Sequence, residues 1–95
     1  MKCEKHVERA EKFKKNLVNR LNRIEGQVRG IKGMVEDDIY CDDILNQVAS
    51  VQAAIRSFSK LLLENHMKSC IVDSIEHGEI EIIDELLKTV EKLMK

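Results

Sequence analysis

YCDDILNQVASVQAAIRSFSKLLLENHMKSC, residues 40–70, is the stretch whose reading decides the fold. Ile44, Val48, Val51, Ile55, Phe58 and Leu62 recur at steps of four or three, the apolar seam of an amphipathic helix. Asp42 and Asp43 sit where a first turn favours negative charge, and no Pro or Gly interrupts residues 42–77. The spacing therefore predicts one long, unbroken helix. Four residues beyond Leu62 the seam reaches His66, and four more bring it to Cys70. A metal-capable pair thus occupies positions where the pattern calls for Leu or Val.

Helix geometry limits how these groups can meet. Residues i and i+4 share a face about 6 Å apart, so His66 and Cys70 of one chain can grip the same ion. Cys41 cannot join them within that chain. In a continuous helix the 25 steps from Cys41 to His66, at about 1.5 Å each, amount to nearly 40 Å. An antiparallel pair of such helices would bring Cys41 of one protomer to His66 and Cys70 of the other, forming two equivalent sites about a two-fold axis. The axis would fall near residues 54 and 55, beside the small Ala53 and Ala54. A lone Cys or His on an apolar seam is more often part of the core. Here the combination points to a metal, and two sulfurs with one imidazole form a soft set that suits Cu(I) or Zn(II). Structural zinc usually takes four ligands, so a three-coordinate Cu(I) site is the better match.

Composition agrees with an all-helical chain. Ninety-five residues make one small domain, residues 1–95, with no proline, 3% aromatic and 35% charged residues. A chain this short buries a modest core by itself, and oligomerisation is the natural remedy. No apolar run reaches membrane-spanning length, and the basic N-terminus lacks the apolar stretch of a signal peptide, which predicts a cytoplasmic protein with no membrane partner. Three cysteines, an odd number, argue against a disulfide scaffold. Net charge is −1, yet residues 1–33 carry ten Lys or Arg against four Asp or Glu, and residues 34–95 carry six against thirteen. That asymmetry predicts a polyanion-binding surface on the first helix; the alternative is a solvated face whose charge pairs with the acidic remainder.

The first helix is expected over about 7–36, with Phe13, Leu17, Leu21, Ile24, Val28, Ile31 and Val35 as its seam and Lys12, Lys15, Arg20, Arg23, Arg29 and Lys32 outside. Gly26, Gly30 and Gly33 each cost about 1 kcal/mol in a helix interior, which points to a helix or a DNA backbone close by, unless packing simply overrides propensity. Cys3 and His6 have a metal-capable spacing but sit at a terminus. The helix dipole favours the Cys41 thiolate and the neighbouring aspartates oppose it. His77-Gly78 marks a helix end, and a last helix over about 79–94 should bury Ile83, Leu86 or Leu87, Val90 and Leu93. No nucleophile with a base, acid pair or phosphate loop suggests an enzyme.

The run NRLNRIEGQVRGIKGMVEDDIYCDDILNQV, residues 19–48, together with ENHMKSC, residues 64–70, resembles the CsoR/RcnR/FrmR family of bacterial metal- and stress-sensing repressors, and within it most closely the copper sensors. The resemblance implies a three-helix protomer in an antiparallel four-helix-bundle dimer, assembled as a dimer of dimers. It also implies operator DNA bound in the apo form, without a helix-turn-helix, and released on binding Cu(I). The family's Cys and His-x-x-x-Cys pattern falls on Cys41, His66 and Cys70, its supporting residues on Tyr40 and Glu85, and its DNA face on Arg20, with Arg23, Arg29 and Lys15 as further candidates. Nickel and cobalt sensors of the family carry a His where Cys70 stands, persulfide sensors lack the histidine, and formaldehyde sensors use an N-terminal proline. A repressor sensing reactive sulfur or electrophiles through Cys41 and Cys70, and a helical copper or zinc buffer without DNA binding, are the alternatives.

Overall fold

The computed structural model describes residues 9–94, and Cys3 and His6 lie outside them. Among the described residues all regular structure is helical: α1 (Glu11–Glu36), α2 (Cys41–His66), a π-helical turn (Met67–Ile71), α3 (Val72–Glu76) and α4 (Glu81–Leu93). Two compact units can be distinguished, residues 9–62 with α1 and most of α2, and the described residues from 63 onward.

In the first unit α1 starts at Glu11, preceded by Ala10 in an extended conformation (φ −57°, ψ 139°) with no side-chain cap; the expected start near Val7 lies outside the described residues. Its buried stripe is Leu17 with the half-buried Phe13, Ile24 and Ile31; on α2 the corresponding residues are the buried Val51 and the half-buried Ile44, Val48 and Phe58, and the two helices are joined by the Arg20–Ser57 and Gln27–Ser50 hydrogen bonds. Leu21, Val28 and Val35, expected in the same seam, are instead 45–58% exposed, as is Ile55 of α2 at 46%. Leu21 and Val28 lie at the edge of the stripe that contains Leu17, whereas Val35, five full turns along from Leu17, and Ile55, in line with Ile44 and Val48, lie on the stripes themselves and are exposed nonetheless. A Cβ built on Gly26, Gly30 or Gly33 meets nothing within 4 Å, so the close approach anticipated there is not made by the described chain.

Both interior helix ends close in the same way. At Gly78 (φ +79°) the Gly78 N–H donates to Ile75 O at 3.0 Å and the Glu79 N–H to Ser74 O at 2.9 Å, the crossed pair of a left-handed cap. Asp38 (φ 54°) repeats the motif after α1, with its N–H on Val35 O at 3.2 Å and the Ile39 N–H on Met34 O at 3.0 Å. A left-handed residue with a Cβ carries a cost that glycine avoids. Gly78→Ala should therefore lower stability by about 1 kcal/mol through the backbone alone, since no atom lies within 4 Å of the new Cβ. Asp38→Gly should raise it by up to about 1 kcal/mol. Thermal unfolding at one fixed protein concentration checks both, and an unchanged midpoint for Gly78→Ala would sink the account.

The long helix expected from residue 42 to 77 is unbroken but not uniform. At Met67–Ile71 it widens into a π turn, with the Val72 N–H reaching back five residues to Met67 O. Ser69 donates its hydroxyl to Asn65 O at 2.7 Å, giving that carbonyl a partner inside the distorted turn. In the second unit the core is Ile71, Ser74 and Ile82, so the face of α4 turned inward runs through Ile82, Leu86 and Val90. Ile83 and Leu93, expected on the buried side, are 39% and 53% exposed. No helix among the described residues is long and apolar enough to cross a membrane.

Candidate metal ligands and a basic face

Cys41 is the first residue of α2, where the Tyr40 carbonyl accepts the Asp43 and Ile44 N–H groups at 3.1 and 3.3 Å. Its thiol is free and exposed, beside Asp42 and Asp43 in the same turn. Tyr40 itself is 73% exposed. His66 is the last residue of α2, half-buried, and Cys70 lies within the π turn that follows, also half-buried. A π turn carries four residue steps just short of a full revolution rather than just beyond it, so His66 and Cys70 still share a face. Cys70 is disulfide-bonded in this structure. A disulfide sulfur offers no thiolate, so Cys70 can act as a ligand only after reduction.

Cys41 and His66 thus open and close a single 26-residue helix. Among the described residues no group of three or more His, Cys, Asp or Glu side chains could hold a metal ion. Along one helix the rise per residue alone keeps Cys41 far from His66. As a donor set, a free thiol, an imidazole and a second, reducible sulfur fit a soft monovalent ion better than a hard one. Glu85, on α4, lines a hollow with Ser74, Glu79, Glu81 and Ile82, and no hydrogen bond joins it to His66.

The basic face is concrete. Lys12, Lys15, Asn16, Asn19, Arg20 and Arg23 line a hollow of about 370 Å³ along one side of α1, at steps that keep all six on one helical face. Lys15, Arg20 and Arg23 are therefore together, and Arg29 is not with them. Arg29 lies off that face and is paired with Glu25 at 3.3 Å, four residues away. The i, i+3, i+4 spacing from Lys12 would have found Asn16 and Asn19; charge counting alone passes over them. Arg20 donates from Nε to Asn16 Oδ1 at 3.0 Å and from Nη1 to Ser57 Oγ on α2 at 3.2 Å. A second link between the helices is Gln27 Nε2 to Ser50 Oγ at 3.5 Å. No local sequence signal ties Ser57 to a residue 37 positions earlier.

Residues 13–92 match the family described as metal-sensitive transcriptional repressors. The copper-sensing transcriptional repressor CsoR of Bacillus subtilis is 48% identical over 99 aligned residues, covering 97% of this chain and 98% of that one. Among solved structures, the copper-sensing repressor CsoR with Cu(I) from Geobacillus thermodenitrificans aligns with a TM-score of 0.88 at 41% identity, over 95% of each chain. The nickel-responsive transcriptional regulator InrS aligns at 0.71 with 37% identity, over 94% of this chain and 98% of that one.

Proposed function

The chain belongs to the family of metal-sensitive transcriptional repressors, and from that premise we propose that it is a Cu(I)-responsive repressor that binds operator DNA in its apo form and releases it when the metal binds. The fold is shared with a nickel-responsive regulator, so fold alone does not choose the ion. The observation that carries the choice is the donor set: Cys41 at one end of α2, with His66 and Cys70 at the other, offers two sulfurs and one imidazole. Cys41 of one chain with reduced His66-x-x-x-Cys70 of a second would hold Cu(I), and the bound ion would supply a cross-link between chains. Tyr40 and Glu85 are the candidates to orient the ligands.

Oligomerisation follows from the same arrangement. Leu21, Val28 and Val35 on α1 and Leu45 and Ile55 on α2 are exposed in the single chain, and apolar stripes of this size call for a partner surface. We read the partner as a second copy in an antiparallel four-helix bundle, with two such dimers forming the DNA-binding unit. The whole of residues 1–95 acts as one sensing and DNA-binding module, in the cytoplasm. Lys15, Arg20 and Arg23 meet phosphates, Arg29 contributing less because it lies off that face beside the Glu25 carboxylate. Ligand-bearing helix ends shared between chains favour one packing of the oligomer, and the basic faces then no longer match the duplex. Coupling of this kind is typically about 1–3 kcal/mol.

The test is an anaerobic titration of reduced protein with Cu(I), following a labelled duplex from upstream of its own gene by fluorescence anisotropy. Stoichiometric loss of the complex with Cu(I), and none with Ni(II), is the expected result. A complex that survives copper would move the inducer to reactive sulfur acting on Cys41 and Cys70.

A further inference from the structure

We propose that Ser57 is a positioning residue for DNA binding: its hydroxyl, together with the Asn16 amide, holds the Arg20 guanidinium at the edge of the basic hollow, so that α2 aims a phosphate-binding side chain carried by α1. The proposal rests on the reading of that hollow as the DNA face.

Arg20 stands where two stripes of α1 meet. On one side lie Leu17 and Ile24, turned toward α2; on the other lie Lys12, Lys15 and Arg23, turned outward. It is half-buried, whereas those three neighbours are exposed. Two of its five N–H groups are engaged, Nε by Asn16 and one on Nη1 by Ser57, which fixes the guanidinium plane at two points. Both hydrogens on Nη2 and the second on Nη1 remain to grip a phosphate, the fork that suits such an anion.

The chemistry of the two partners matters as much as their position. Two other cations of α1 are paired with carboxylates, Lys14 with Glu11 at 3.7 Å and Arg29 with Glu25 at 3.3 Å. Among the described residues no carboxylate pairs with Arg20. Ser57 and Asn16 are neutral acceptors: they orient the guanidinium without cancelling its charge. An arginine kept for an anion needs both conditions, because order removes the entropy lost on binding and an uncancelled charge preserves the attraction. The Ser57 hydrogen bond also makes Arg20 sensitive to how α2 lies on α1. A relative shift of about 1 Å would stretch a 3.2 Å bond beyond hydrogen-bonding range.

The hydroxyl is isolated by comparing Ser57→Thr with Ser57→Val in the full-length reduced protein, two variants of matched shape of which only Thr keeps the acceptor. Ser57 is exposed on its helix, and both variants carry the same β-branch. Anisotropy with the labelled upstream duplex is expected to place Ser57→Thr within about twofold of wild type and Ser57→Val about three- to tenfold weaker. The slope of log affinity against log salt should be unchanged in Ser57→Val, since the same phosphates are neutralised. In Arg20→Ala it should be lower by about one for each phosphate that Arg20 no longer neutralises. In an Arg20→Ala background, Thr and Val at position 57 should bind alike. Equal binding by the two variants in the wild-type background, or a Thr–Val difference that persists without Arg20, overturns the proposal while leaving the repressor reading intact. Failure of the wild-type protein to bind the duplex above a scrambled one overturns both.

Discussion

Mixed dimers carrying Cys41→Ala in one chain and His66→Ala with Cys70→Ala in the other should recover Cu(I) binding that neither homodimer possesses. If each site takes Cys41 from one protomer and the His66/Cys70 pair from its partner, two-fold symmetry leaves one complete set in the mixed dimer and one with no ligands. Differently tagged, co-purified mixed dimers should then show about half the wild-type capacity in an anaerobic competition with a chromophoric Cu(I) chelator. Sites contained within one chain would give no such complementation, because both kinds of chain lack an essential donor. In the homodimers, apo DNA affinity should stay within about twofold of wild type. Their copper response, about 5- to 150-fold for coupling of 1–3 kcal/mol, should collapse to none. Loss of apo binding in either homodimer would instead make these residues part of the oligomer's framework. The measurement must be made on reduced protein, because Cys70 can enter a disulfide.

Arg20→Ala is expected to cost the most of any single change on the basic face. A charge-assisted hydrogen bond to phosphate contributes about 1.5–3 kcal/mol, roughly ten- to a hundredfold in affinity, and each chain of the assembly that touches DNA would forfeit it. Affinity should fall at every salt concentration, and the salt slope should flatten by about one for each phosphate left without its arginine. Arg29→Ala is the informative control. It lies off the hollow and its charge is matched by Glu25 at 3.3 Å, so its loss should change affinity by a few-fold at most. Binding isotherms at several salt concentrations decide the matter, and an Arg29 effect equal to or larger than that of Arg20 would move the DNA face to the other side of α1.

Much of this molecule is written locally. Helix-forming composition without proline, the four-and-three spacing through Val48, Val51 and Phe58, and the acidic first turn after Cys41 determine α2 without reference to the rest of the chain. Gly78 predicts its own left-handed cap because a single residue's steric freedom decides that conformation. The wide separation of Cys41 from His66 follows from rise per residue alone, and so does the conclusion that one chain cannot bring them together. The basic hollow is legible as well, since Lys12, Lys15, Arg20 and Arg23 fall on one face by helical spacing.

What tertiary structure alone decided is which of its apolar positions each helix buries. Periodicity favours Ile83 about as well as Ile82, and only the tertiary fold selects Ile82 for the core with Ile71 and Ser74; Leu93 shares the azimuth of Ile82 and Leu86 and is exposed at the last position of α4. Leu21 and Val28 stand roughly 40° and 20° around α1 from the buried Leu17, while Val35, five full turns along from Leu17, shares its azimuth and is exposed at the end of the helix. The π turn at Met67–Ile71 and the Ser57 grip on Arg20 belong to this class too. The Ser57 grip on Arg20 joins positions far apart in the chain, where packing free energy outweighs the small local preferences that a sequence pattern records, and the π turn has no signal in the helix-forming residues that make it.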